Sequence, residues 1–117
     1  MIIFAPLNSA FANVAVEGGL RVAYEVFADR AYNPDGSLVS RKQPTAIIQE
    51  PQKVMERAIK MVKEGTVLAI NGEVVNLGEV HTICVHGDTP TAVELARTLK
   101  KGLIKAGIDV KPVDSFI

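Results

Sequence analysis

The chain has 117 residues, 48% of them hydrophobic, and 13 Lys and Arg stand against 13 Asp and Glu. That length supports one modest core, hence one domain over residues 1–117, and the balanced charge offers no field to hold a nucleic-acid backbone or an anionic membrane surface, so neither is expected as a partner. No apolar run nears the roughly 20 residues that span a bilayer. The opening Met1-Ile2-Ile3-Phe4-Ala5-Pro6 lacks the parts of a signal peptide, and the lone Cys84 leaves no internal disulfide or CxxC pair. A cytoplasmic location is the expectation.

In chain order, Ile2-Ile3-Phe4-Ala5 reads as a short buried strand closed by Pro6. Ser9 caps a helix to about Glu17, with Phe11, Val14 and Ala15 on one face and Gly18-Gly19 as its stop. Leu20 to Phe27, rich in Val and Tyr, is a second strand. Residues 28–44 form a long loop around the turn Asn33-Pro34-Asp35-Gly36, the kind of loop that carries function. Pro51 opens a helix to Glu64 whose apolar stripe is Val54, Ala58, Met61 and Val62, ended by Gly65. Val67 to Ile70 and Glu73 to Val75 flank Asn71-Gly72, the pattern of a two-residue type I′ hairpin. His81 to Val85 is a buried strand that delivers His86-Gly87-Asp88. Thr89-Pro90 starts a helix that buries Val93, Ala96, Leu99, Leu103 and Ile104 and runs until Gly107, and Ile108-Asp109-Val110 closes the series as a strand. Strands alternating with helices predict parallel βαβ units in an α/β fold, with the hairpin as an insertion.

In parallel α/β folds reactive residues gather at the carboxyl ends of strands. Two segments fall there: Glu25 to Tyr32, with the Asp29-Arg30 pair, and His86 to Asp88. At the second, a helix start points free amides toward an anion or a carbonyl oxygen held between His86 and Asp88. Each also has a plain structural reading, as turn and capping residues for His86 and Asp88 and as a solvated or structural ion pair for Asp29 and Arg30. Cys84, inside Thr82-Ile83-Cys84-Val85, reads as an inert buried thiol.

The run Glu25-Val26-Phe27-Ala28-Asp29-Arg30-Ala31-Tyr32-Asn33-Pro34-Asp35-Gly36, with Leu38, Val39 and Arg41, and the run Thr82 to Pro90 both resemble signatures of the LamB/YcsF family. The resemblance covers nearly the whole chain. It implies a partial (β/α) barrel of the glycoside hydrolase and deacetylase type, corresponding to the C-terminal half of family members. It also implies the A subunit of an ATP-dependent 5-oxoprolinase, which with the B and C subunits opens the lactam of 5-oxo-L-proline to L-glutamate. ATP is then a co-substrate of the complex, with no tightly bound cofactor expected. Under the resemblance Asp29, His86 and Asp88 are catalytic, Asp29 or His86 handling a proton on attacking water or leaving nitrogen and Asp88 orienting His86 or the water. Arg30 grips the substrate carboxylate, with Glu25, Tyr32 and Arg41 as further substrate contacts.

Family members are longer and carry N-terminal acidic and histidine motifs that this sequence lacks. The chain is therefore expected to be inactive alone, and to pair with a separate N-terminal half or with a second copy of itself. Ser40 and Thr45 replace a common Pro and Gly of the loop, and His81 a common acidic residue; His81 reads as structural. Two other readings stand beside this one: a non-catalytic interaction fragment, and a metal-dependent amidase or deacetylase on small amides, for which His81 and His86 are the only histidines. No metal site is assigned. No GxxxxGK phosphate loop is present, which directs ATP chemistry to other chains.

Overall fold

A computed structural model describes residues 1–7, 9–48, 50–85 and 92–116. The first strand, β1, spans Ile2–Ala5, and the first helix, α1, spans Ala10–Glu17. Strand β2 covers Arg21–Phe27 and helix α2 covers Pro51–Glu64. Strands β3 (Thr66–Leu68) and β4 (Val74–Asn76) precede β5 (Thr82–Cys84), and α3 (Ala92–Lys105) leads to a 3-10 turn at Val113–Ser115. β1, β2 and β5 form a three-stranded sheet in the order β1-β2-β5 with both pairings parallel, while β3 and β4 make a separate antiparallel ribbon. The fold is thus mixed α/β, with parallel strands joined through helices. No described helix is long and apolar enough to cross a membrane.

The main core lies beneath α2. Val54, Ala58 and Met61, spaced to fall on one helical face, are fully enclosed there with Val26, Tyr32, Val67, Val75, Leu99 and Leu103. Burying side chains of this size contributes about 1.5–3 kcal/mol each. Helix α2 crosses α3 closely at Gly102, where an added Cβ would fall on the Met55 thioether. This explains a glycine inside an otherwise good helix sequence.

A smaller core joins α1 to β1 and β2 through Ala5, Ala12, Ala15 and Val22. Ser9 caps α1 as expected, its hydroxyl accepting from the Ala12 N–H at 3.1 Å. The buried face differs from expectation, however. Phe11 and Val14 are 62% and 67% exposed, because the helix approaches the sheet through its two small residues, Ala12 and Ala15. Helix α3 is corrected in the same way. Leu99 and Leu103 are buried and Leu95 joins them, whereas Val93, Ala96 and Ile104 face outward. The expected cap at Thr89-Pro90 lies outside the described residues.

Two further expectations are revised. Residues 108–110 form no strand: Gly107 N–H donates to Ile104 O and Ile108 N–H to Leu103 O, both at 3.0 Å, and this double closure of the helix end folds Ile108 back against the core. The hairpin is present, but its loop has three residues. Leu68 pairs with Val74, and Ala69 N–H donates to Glu73 O at 2.8 Å, which leaves Ile70-Asn71-Gly72 as the loop. Gly72 closes on Ala69 O and adopts φ +86, as the residue after a type I turn does in such loops. Asn71 contributes its side chain, whose Oδ1 accepts from Glu73 N–H at 3.1 Å. The observed register sets Val67 opposite Val75, both buried, whereas a two-residue turn would set Val67 opposite Asn76. Since a one-residue slip exchanges the faces of a strand, burial of the valine pair selects the longer loop.

Candidate functional site

Strand β2 runs out at Phe27 and the chain turns at once, so Ala28, Asp29 and Arg30 stand at the carboxyl end of the sheet. Both charged residues of this turn are buried, Asp29 to 6% and Arg30 to 7% exposure, which removes the solvated reading of the pair. Burial of backbone polar groups requires partners for them, and those of this turn are found one by one. Phe27 O accepts from Arg30 N–H at 3.5 Å, Asp29 O from Ile48 N–H at 2.8 Å, Ala31 O from Val39 N–H at 3.0 Å, and Tyr32 O from Ile70 N–H at 3.0 Å. The two remaining carbonyls, Ala28 O and Arg30 O, both accept from the guanidinium of Arg57 on α2, the second at 2.8 Å.

The loop beyond is fastened by its own residues. Arg30 and Tyr32 make isolated antiparallel bridges to Ile47 and Leu38, and Arg30 Nη2 donates to Val39 O at 3.0 Å. Ala31, Val39 and Ala46 close a small apolar core of the loop. The expected turn at Asn33 to Gly36 is present, with Gly36 N–H donating to Asn33 O at 3.0 Å and the Asp35 carboxylate accepting from the Ser37 N–H and hydroxyl. Those two hydrogen bonds hold the Asp35 carboxyl below its ordinary value.

Tyr32 is buried with its hydroxyl accepting from Phe27 N–H at 3.0 Å. Burial pushes its phenol above the usual value; the Phe27 hydrogen bond and the charges of Arg57 and Arg30 pull it back, and Glu25 adds to the rise. Burial also pushes the Cys84 thiol up, with the Glu25 and Asp29 carboxylates acting in the same direction. Arg57 is moved down by burial, opposed by Tyr32 and Asp29. Glu25, Asp29, Arg30, Tyr32 and Arg57 are thus electrostatic neighbours around the strand end.

Glu25 and Tyr32 open onto a cleft of about 560 Å³ between β2, the loop turn and β4, whose other polar lining includes Ser9, Asp35, Ser37 and Glu79. Among its described lining residues are three carboxylates and no Lys, Arg or His. Arg30 and Arg57, whose charges act on Tyr32, engage carbonyls of the turn and loop. Arg41 stands exposed among turn residues and does not line the cleft. His86 and Asp88 lie outside the described residues. His81 is engaged structurally: its Nδ1 accepts from Tyr24 N–H at 3.0 Å, its Nε2 meets Glu79 at 3.2 Å, and its ring stacks on Tyr24. Among the described residues no three His, Cys, Asp or Glu side chains converge as a metal ion needs. Sequence reading missed Arg57. Its one available signal was its place beside Ala58 at the margin of the buried stripe, where a long cationic side chain can reach across a neighbouring element.

Comparison with known proteins places this geometry in a family. A model of the LamB/YcsF family matches residues 1–117. The A subunit of 5-oxoprolinase from Pyrococcus horikoshii is 51% identical over 117 residues, covering 100% of this chain and 46% of that protein. The protein of the same name from Pyrococcus abyssi is 52% identical with the same coverage. The crystal structure of the lactam utilization protein from Thermus thermophilus superposes with a TM-score of 0.87 at 34% identity, covering 95% of this chain and 43% of that one. The chain therefore spans about half the length of the curated relatives it matches.

Proposed function

The chain belongs to the LamB/YcsF family, and from that premise we propose that it supplies the C-terminal half of the A subunit of a 5-oxoprolinase, opening the lactam of 5-oxo-L-proline to L-glutamate with ATP. The observation that carries the reading is about 50% identity over the whole chain to two proteins named as the A subunit of 5-oxoprolinase. The single domain 1–117 then forms part of an irregular (β/α) barrel of the deacetylase type. It works in the cytoplasm with the B and C subunits and with the N-terminal half, and it is inactive without them. ATP acts as a co-substrate handled by the assembly.

An unstrained five-membered lactam resists hydrolysis because the amide is resonance-stabilised, so phosphorylation of the lactam oxygen is the activating step. In this reading Asp29 and His86 move protons on attacking water and leaving nitrogen, with Asp88 orienting His86. Glu25 and Tyr32, which line the cleft, contact the substrate, Arg30 takes its carboxylate, and Arg41, exposed and off the cleft, is left without a role. A specific feature supports the Arg30 assignment. Arg30 Nε is buried and meets no acceptor among the described residues. An unpaired buried donor costs on the order of 1–3 kcal/mol, which an incoming carboxylate would recover.

The test is ATP-dependent formation of glutamate from 5-oxoproline by this chain mixed with the B and C subunits, with and without a supplied N-terminal half. Turnover only with the added half is expected. No turnover in either mixture, with every component folded, would remove the enzymatic reading in favour of an interaction role, which the exposed Phe4, Phe11 and Val14 on β1 and α1 would then serve.

A further inference from the structure

We propose that Arg57 is the positioning residue of this site: from α2 it clamps the two carbonyls on either side of Asp29 and thereby fixes the turn that presents Asp29 and Tyr32. The inference deepens the proposed function and rests on it for the chemistry, while the clamp itself stands on geometry.

Every carbonyl from Phe27 to Tyr32 has a donor. Four of these donors are backbone N–H groups from the loop or hairpin, which any sequence except proline could supply. The carbonyls of Ala28 and Arg30 depend on one side chain from a helix 27 to 29 residues away. A guanidinium suits this task because its N–H groups diverge in a fixed plane, so Nη1 and Nη2 can reach carbonyls two residues apart at once. A lysine ammonium at the same place is a point donor on a flexible stem and cannot span both with the same geometry. The clamp also sets a half-buried positive charge beside the Asp29 carboxylate, which favours it, and close to the Tyr32 hydroxyl. Loss of Arg57 leaves two buried carbonyls without their donors, next to the residue assigned to proton transfer. A displacement of about 1 Å at such a group costs on the order of a hundredfold in rate.

The experiment compares Arg57→Lys and Arg57→Gln with Lys60→Met, a control on the exposed side of the same helix. Amide hydrogen exchange of the full chain is measured first. The clamp predicts exchange at least tenfold faster at Phe27, Arg30 and Ile48 in both Arg57 variants, with the amides of α3 and β3 unchanged. The reconstituted assembly is then assayed. The expected result is a fall in kcat of about 10- to 100-fold with KM for 5-oxoproline changed less than about twofold, and wild-type values for Lys60→Met. Wild-type exchange and kcat in Arg57→Lys would overturn the proposal, as would global unfolding of both Arg57 variants, which would make the residue a general stability element. If the wild-type assembly itself gives no turnover, the enzymatic reading fails separately and exchange alone decides the clamp.

Discussion

Replacing Gly65 by alanine tests whether the end of α2 is held against the hairpin by backbone contact. Gly65 caps the helix in the left-handed conformation at φ +67, and its N–H donates to Met61 O at 2.9 Å. An alanine there bears two separable costs. The left-handed conformation costs an L residue about 1–2 kcal/mol. The new Cβ would also lie 2.7 Å from Gly78 O, well inside the 3.4 Å at which ordinary contact begins. Gly78 cannot retreat freely, since its N–H donates to Asn76 Oδ1 at 3.0 Å and the adjacent Leu77 N–H donates to Gly65 O at 2.6 Å. Gly72 isolates the first cost, because it has φ +86 and nothing within 4 Å of an added Cβ. Gly72→Ala should therefore lose about 1 kcal/mol and Gly65→Ala about 2–4 kcal/mol, the excess reflecting displacement of backbone against its hydrogen bonds. Urea unfolding with an unchanged m-value gives both numbers directly. Equal losses in the two variants would refute the backbone contact, and so would a Gly65→Ala protein as stable as the parent.

Met61→Ala, at the centre of the main core and fully enclosed, should lower unfolding free energy by about 2–5 kcal/mol in the same assay. Tyr32→Phe should cost about 1 kcal/mol by removing the hydrogen bond that its hydroxyl accepts from the Phe27 N–H. The same variant tests a pH effect: because the folded phenol titrates above its unfolded value of about 10, the contribution of Tyr32 is complete below pH 10 and is lost as pH rises through the folded value, so the alkaline decline in stability should be shallower in Tyr32→Phe. Cys84, with its thiol pushed up by burial, should react with iodoacetamide more slowly at pH 8 than an unhindered thiol, and a reaction midpoint below about 8.5 would contradict this. In the reconstituted assembly Asp29→Asn should lower kcat by on the order of a hundredfold or more, and an unchanged rate would remove Asp29 from the mechanism.

Elements defined by local chemistry were legible in the sequence. Pro51 and Gly65 mark the ends of α2 and Ser9 marks the start of α1, because a proline, a left-handed residue and a capping hydroxyl act within one turn of where they stand. The faces of α1 and α3 were not, since a helix with apolar residues on several sides does not declare which will meet a neighbour. On α1 the close approach to the sheet chose Ala12 and Ala15 over Phe11 and Val14. The hairpin register escaped for a related reason. Asn71-Gly72 fits either loop length, and only burial of Val67 against Val75 discriminates between them. The Ile108 segment has the composition of a strand, yet its first amide is taken by the helix end before it.

The candidate site divides along the same line. Asp29, Arg30 and Tyr32 were identifiable because they sit directly beyond a strand, in a contiguous run. Arg57 was not, because its function depends on where α2 lies relative to the turn, and that position is set by the packing of Val54, Ala58 and Met61, apolar residues with no chemical role of their own. This ties core to site in a testable order. A substitution that shifts α2 without unfolding it, such as Ala58→Val at a fully enclosed position, should move the guanidinium and loosen the turn as Arg57→Lys does. Overpacking costs about 1–3 kcal/mol of stability, so the chain should remain folded while exchange at Ile48 rises. If Ala58→Val destabilised the chain by that amount but left Ile48 exchange relative to α3 unchanged, the turn would be held by its loop bonds alone and the link from helix packing to site geometry would be broken.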